Sequence, residues 1–462
     1  MTTVNVLGAG LAGSEAAYQL ARRSVPVRLF EMRPASMTPA HRTAFFGELV
    51  CSNSLKSVSP ETASGVLKEE MRRLGSLVMA AAEAASIPAG SALAVDREEF
   101  GRFLTATLEG MANVEIVRRE VTAIPEGPTI VASGPLTSPA LERALQALAG
   151  PRHLYFYDAV SPVVTAESID MARVFRASRY GQGGDDYINC PLSRQEYEAF
   201  VEALVSAEVV APHPFERAVY FEGCVPIEEL ARRGRLTLAF GPMRPVGLVA
   251  PLTGRRPFAV VQLRGDDRAG TLYNIVGFQT KMTYGAQRAV LRMIPGLEKA
   301  EFVRYGSLHR NTFLNSPALL RPSLQLRGRD DLFVAGQLTG VEGYLESAAT
   351  GLVAALNAAR LTAGAPLLTV PAETVLGSLI GYVTDPARGD FQPMNANFGL
   401  LPALDAVALR GREKKRALAE RARAAFERWI EDCVPEAGAH AAWAAQAAGA
   451  GPEAGALRAA GR

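Results

Sequence analysis

The chain has 462 residues, 48 % apolar and 21 % charged, the balance of a water-soluble fold with material for two or three domains. A formal charge of +2, from 49 basic and 47 acidic residues, argues against a polybasic nucleic-acid binder of the histone kind. Four cysteines without a CxxC pair exclude a disulfide scaffold and the usual zinc sites, and with no long apolar run or signal peptide they suit a reducing cytoplasm.

Val4-Asn5-Val6-Leu7 reads as a buried strand. It feeds Gly8-Ala9-Gly10-Leu11-Ala12-Gly13, a GxGxxG, and then a helix predicted over Ser14 to Arg23. A second strand, Val25 to Phe30, ends at Glu31, 18 residues beyond Gly13. Strand, glycines, helix and acid in this register form a dinucleotide fingerprint. Gly8 permits the tight turn, Gly10 lets backbone approach a pyrophosphate, Gly13 lets helix pack on strand, and Glu31 is placed for ribose hydroxyls. His41 is a weak candidate. Cys51 follows in Glu48-Leu49-Val50-Cys51-Ser52-Asn53-Ser54, a polar loop after the second strand. It is either within reach of the cofactor or a buried structural thiol. Thr129 to Pro135 reads as another sheet strand, ending at the cofactor near Gly134.

Residues 139–302 read as a mixed or antiparallel β-rich insertion. Strands are expected at Val160 to Val164, Leu236 to Phe240, Phe258 to Leu263 and Thr271 to Val276, with one helix over Arg194 to Val205. Near-neutrality conceals opposed charge here: Asp185 to Leu230 carries a net −8 and Arg232 to Arg268 a net +6. Cys224 precedes Pro226, which is suited to open a helix that Glu228 and Glu229 line and Gly234 stops. A helix N-terminus raises the thiolate fraction of such a cysteine, and the neighbouring carboxylates oppose it. Cys190 and Cys433 read as structural. His309, with Arg310 and Asn311, leads back into the first fold unit.

Asp331 to Gly336 is a strand ending in glycine, followed by Gly340, Gly343 and Tyr344 and a long helix over Leu345 to Leu361. Its N-terminus favours negative charge on the N1/C2=O edge of a flavin, and Tyr344 either lies over the isoalloxazine or packs as an ordinary tyrosine. Three cofactor-facing pieces spread over the chain favour FAD over NAD. The basic run Arg410 to Arg428 reads as a solvated helix face. The expected architecture is α/β: a discontinuous Rossmann-like FAD-binding domain over 1–138 and 303–433, the insertion at 139–302, and an Ala/Gly-rich tail at 434–462. No metal-ligand pattern is present.

Five segments in this order are similar to one family. They are Glu48-Leu49-Val50-Cys51-Ser52-Asn53, Phe221-Glu222-Gly223-Cys224-Val225-Pro226, Asn274-Ile275-Val276-Gly277-Phe278-Gln279-Thr280, Arg304-Tyr305-Gly306-Ser307-Leu308-His309-Arg310-Asn311, and Ala335-Gly336-Gln337-Leu338-Thr339-Gly340-Val341-Glu342-Gly343-Tyr344. They resemble the folate- and FAD-dependent tRNA (uracil-5-)-methyltransferases, TrmFO, from residue 1 to about 430, with MnmG/GidA as the nearest other family. The resemblance implies 5-methyluridine formation in the tRNA T-loop. The carbon would come from 5,10-methylenetetrahydrofolate and the electrons from NADH or NADPH through FAD. It puts the thiol motifs on Cys51 and Cys224. Cys224 is expected as the nucleophile on uracil C6, Cys51 as acid, base or methylene handler, and His309 and Tyr344 as pterin or flavin contacts. A single GxGxxG, filled by FAD, implies transient nicotinamide binding. The competing readings are a flavin oxidoreductase acting on a small molecule, an MnmG-like uridine modifier, and an FAD-holding scaffold without activity.

Overall fold

The computed structural model describes residues 2–38, 40–149, 153–159, 161–181, 184–210, 225–251, 253–306, 308–388, 391–404 and 409–434; of 149, 153–159 and 308–311 it describes the backbone alone. Val4–Leu7, fully buried, lies at the centre of a six-stranded sheet. Its order is Gln325–Leu326, Arg329–Val334, Thr129–Val131, Val4–Leu7, Val27–Glu31 and Val114–Arg118. All neighbours are parallel except the hairpin between Gln325–Leu326 and Arg329–Val334. A parallel sheet must be covered on both faces. Val4 and Val6 pack with the helices Leu11–Ala21 and Tyr344–Thr362, while Leu7 meets Leu141 and Leu145 of the helix Pro139–Ala149.

The second sheet is antiparallel, in the order Phe175–Arg176, Tyr187–Leu192, Ala259–Gly265, Leu272–Ile275, Val163–Thr165 and Phe302–Arg304. The helix Arg194–Ser206 covers it through Tyr197, Phe200, Val201 and Leu204. This is the expected α/β fold with a β-rich insertion. Phe302–Arg304 pairs with Val163–Thr165, so the second sheet crosses position 302.

One expected strand is corrected. Leu236 to Phe240 contains a helical turn, Thr237–Phe240. A run of five residues with four apolar ones does not distinguish a strand from a turn of helix. The Tyr197 hydroxyl settles it, donating to Arg235 O at 2.8 Å and accepting the Ala239 N–H at 3.2 Å. The main helices otherwise start and stop within a few residues of expectation, and the basic run forms the helix Gly411–Cys433. Arg412, Lys414, Lys415, Arg416 and Arg428 are exposed, the solvated face expected, and the helix also pairs with its neighbours. Arg412, Arg423 and Glu427 pair with Glu61, Glu69 and Arg73. The tail beyond 434 lies outside the described residues. Among the described residues no helix is long and apolar enough to cross a membrane.

Candidate active site

Three parallel strands deliver the site. Val4–Leu7, Thr129–Val131 and Arg329–Val334 end side by side, and the loops after them line one cleft of about 310 Å³. Gly10, Leu11 and Ala12 come from the first loop, Ala132 to Leu136 from the second, and Gly336 and Gln337 from the third. Ligands of open α/β sheets bind at this carboxyl edge. A narrower arm of about 80 Å³ continues from it past Gly8, Phe30, Glu31 and Met32. Gly10, His41, Ser133 and Leu136 line both.

Two helix N-termini open on the cleft. Gly10 precedes Leu11–Ala21 and Gly343 precedes Tyr344–Thr362, neither with a side-chain cap. Their first N–H groups have no acceptor within the helix and favour an anion. The glycines act as the fingerprint requires. Gly8 has φ +98°, and a Cβ there would lie 2.7 Å from Ala132 O. A Cβ on Gly13 would lie 1.7 Å from Gly8 O, and one on Gly351 2.2 Å from Ala12 O. A Cβ on Gly10 would meet nothing within 4 Å, the open approach that a pyrophosphate needs. The cradle fits a dinucleotide.

Glu31 is buried. Its carboxylate accepts from Ala9 N–H at 3.1 Å and from Arg33 Nε at 2.9 Å. Burial opposes its charge, yet the Arg33 guanidinium and these N–H groups hold the carboxyl below the usual range. Arg33 also reaches Glu48 at 3.0 Å. Glu31 thus fastens the glycine loop as well as lining the narrow arm.

Cys51 is half-buried on the cleft wall. Tyr344 pins its loop, the hydroxyl oxygen accepting from Cys51 N–H at 2.8 Å and Ser52 N–H at 3.1 Å. Burial pushes the Tyr344 phenol above its ordinary range, with nearby Cys51 adding to the effect, so Tyr344 stays neutral. Three arginines hold the same loop. Arg97 Nη1 donates to Leu49 O, Arg304 Nη1 to Val50 O at 3.3 Å, and Arg264 to Ser52 Oγ at 2.9 Å and Asn53 Oδ1 at 3.0 Å. Asp266 pairs with Arg97 at 3.0 Å, and among the described residues no carboxylate pairs with the other two arginines. Nε and Nη2 of Arg304 are buried with no partner among the described residues. Nearby, Lys56 lines the cleft and pairs with buried Glu346 at 2.5 Å.

The cleft therefore brings together Gly10, Leu11, Ala12, Cys51, Gly134, Gly336, Gly343 and Tyr344, with Gly8 and Glu31 on its arm. Ala9 and Gly13 lie behind the loop, one bonded to Glu31 and the other against Gly8. Cys224 lies outside the described residues. His309, Arg310 and Asn311 sit on Leu308–Leu314, paired with His153–Ala159, and their side chains lie outside the described residues. Cys190 is fully buried, and burial pushes its thiol well above the usual range. Part of the arginine-rich segment is neutralised within the fold: Arg232 pairs with Glu229 and Arg268 with Glu99, while Arg264 is buried. The arginines on the Cys51 loop were not singled out from the sequence. The only local hint is Arg304 in the segment before His309.

Comparison with known proteins places the chain. A family model described as glucose inhibited division protein A matches residues 3–366. The methylenetetrahydrofolate–tRNA-(uracil-5-)-methyltransferase TrmFO of Anoxybacillus flavithermus is 58 % identical over 428 residues, covering 93 % of this chain and 99 % of the relative. The TrmFO of Bacillus subtilis is 57 % identical over 420 residues, 91 % of this chain and 97 % of the relative. Among solved structures, Aquifex aeolicus GidA superposes with a TM-score of 0.67 at 17 % identity, over 92 % of this chain and 75 % of that one, a likeness of fold.

Proposed function

The chain belongs to the TrmFO family within the wider GidA family, and on that premise we propose that it methylates C5 of uracil in tRNA, at the T-loop uridine 54. The carbon donor is 5,10-methylenetetrahydrofolate, the reductant NADH or NADPH, the cofactor FAD, and the compartment the cytoplasm. The observation that carries this reading is a cysteine held on the wall of a dinucleotide cleft by the residue that opens the cleft's second helix, Tyr344.

FAD, when bound, supplies the hydride drawn from the nicotinamide. Gly10, Gly336 and the two helix N-termini would hold its pyrophosphate and ring edge, and Glu31 its ribose. The rest falls to the chain. Uracil C5 is a poor nucleophile until a thiolate adds to C6 and creates an enolate. Cys224 is assigned that addition. C5 then bonds to the donor's methylene carbon. The C5 proton leaves and the remaining methylene–nitrogen bond breaks, releasing tetrahydrofolate; hydride added to the exocyclic methylene then gives the methyl group, and the returning electron pair expels the Cys224 thiolate from C6. Cys51 is assigned the proton transfer, since its backbone is fixed from both sides. His309, Arg310 and Asn311 are assigned to the pterin or RNA. The 1–138 and 303–433 segments carry the flavin, and 139–302 presents the substrate.

Incubation with a T-arm transcript, methylenetetrahydrofolate and NADH, without S-adenosylmethionine, is expected to give 5-methyluridine by mass spectrometry. Cys224→Ala is expected to abolish the covalent complex with 5-fluorouridine RNA. A complex that survives there and vanishes in Cys51→Ala reverses the two roles.

A further inference from the structure

Three aromatic rings form a column at the edge of the insertion sheet. Tyr284 and Tyr305 stack with centroids 4.9 Å apart and planes at 21°, and Tyr305 and Phe302 at 5.2 Å and 21°. Phe302 packs against the insertion core. Tyr284, at the other end, is 63 % exposed and carries the column into solvent. A tyrosine placed this way gains little from burial, so its ring is free to stack on something else.

The column is rigid. Thr283 caps the helix Tyr284–Leu291 by accepting from Ala286 N–H. Gln287, fully buried, donates to Gly306 O at 2.9 Å and accepts the Gly306 N–H at 2.8 Å, locking that helix to the Tyr305 segment. Arg288, one turn after Tyr284, donates to the Tyr305 hydroxyl at 3.2 and 3.0 Å and sets a cation beside the rings.

Its position is specific. Tyr305 follows Arg304, which reaches the loop of Cys51. Tyr284 follows the stretch 279–283, whose Gln279 lines the cleft. Ile227 N–H donates to Gln279 O at 2.7 Å and Val210 N–H to Lys281 O at 2.9 Å, so the chain leaves for and returns from residues 211–224 beside the same stretch. The column stands beside the stretch that brings Gln279 to the cleft and the strand that brings Arg304 to the Cys51 loop.

Chemistry on a base requires that base to leave its stack, and its neighbour then loses a stacking partner. An exposed aromatic face restores it, at about 1–3 kcal/mol per base. We propose that Tyr284, backed by Tyr305 and Phe302, is a stacking site for the nucleobase adjoining the target uridine, with Arg288 beside the flanking phosphate. The proposal rests on the tRNA reading above.

The test is T-arm RNA binding by fluorescence anisotropy with the FAD-loaded protein. Tyr284→Ala is expected to raise Kd by about 5- to 100-fold, while Tyr284→Trp stays within about twofold of wild type. The bound-flavin spectrum stays unchanged, and kcat at saturating RNA holds while KM for RNA rises. Arg288→Gln is expected to flatten the slope of log Kd against log salt by about 0.7, the value of one single-strand phosphate. RNA binding unchanged in Tyr284→Ala, or lost equally in Tyr284→Trp, overturns the stacking site. A wild type that binds the RNA but makes no 5-methyluridine overturns the catalytic reading instead, and the comparison of Tyr284 variants still decides this one.

Discussion

Among the described residues, Asp266 is the only carboxylate pairing with the three arginines that hold the Cys51 loop, and its side chain is 7 % exposed against 15 % for Arg97. Both Arg97 Nε and Nη2 donate to it at 3.0–3.1 Å. Removing one member of such a pair leaves a buried charge uncompensated, whereas removing both does not. Arg97→Met is therefore expected to cost about 3–5 kcal/mol of unfolding free energy, and Arg97→Met/Asp266→Leu to recover much of it. Urea denaturation of both variants measures the difference; a double variant as unstable as the single one refutes the pairing. This cluster was not legible in the sequence. Arg97 and Asp266 are 169 positions apart, and Val50 and Arg304 are 254 apart. A single arginine carries no local pattern that marks such a partner. Glu31 was legible as part of the fingerprint, but its bonds to Ala9 and Arg33 were not.

Among elements, the crossing of Leu11–Ala21 with Tyr344–Thr362 sets the cleft. The helices meet where Gly351 approaches Ala12, and a methyl at 351 would fall 2.2 Å from backbone oxygen. Gly351→Ala must push them apart. The expected loss is about 1–3 kcal/mol, seen as a lower Tm, together with reduced flavin retention on gel filtration. Full retention with an unchanged Tm would mean that the crossing does not shape the cleft. Both helices were readable because their signals are local: glycines before the first turn, then an Ala/Leu face. The turn Thr237–Phe240 was not, because its conformation is decided by Tyr197 in a different helix. The capping of Val375–Thr384 is remote in part, since beside the local Thr374, which accepts from Gly377 N–H at 2.8 Å, a distant carboxylate contributes. Glu70 accepts its first two N–H groups at 2.9 and 2.8 Å from 305 and 306 positions away.

At the scale of the molecule, buried ionisable groups shape the response to pH. Lys68 is fully buried, its ammonium donating to Ser57 O at 2.8 Å and Ser64 O at 3.4 Å. Burial lowers its pKa from 10.5 to about 7, against the pull of Glu346. Between those values the unfolded chain binds the extra proton, so this group's contribution to stability rises with pH from about 7 to 10.5, and the burial penalty is complete below 7. Lys68→Met removes that dependence. The stability of wild type minus that of the variant is expected to rise by about 1–3 kcal/mol from pH 7 to pH 9, measured by urea denaturation. A gap independent of pH would show that Lys68 keeps its proton in the fold.

The Cys51 loop is grasped from two directions, by Tyr344 on the helix that opens the cleft and by Arg264 and Arg304 on the insertion sheet. Binding equilibria that share a structural element are reciprocal. If flavin binding orders Tyr344 and thereby strengthens docking of the insertion by some factor, insertion docking must strengthen flavin binding by the same factor. Cofactor retention then becomes a gauge of substrate-side architecture: lesions far from the dinucleotide register as a leak of the yellow chromophore, and cofactor-depleted protein holds its thiol more loosely than the loaded form.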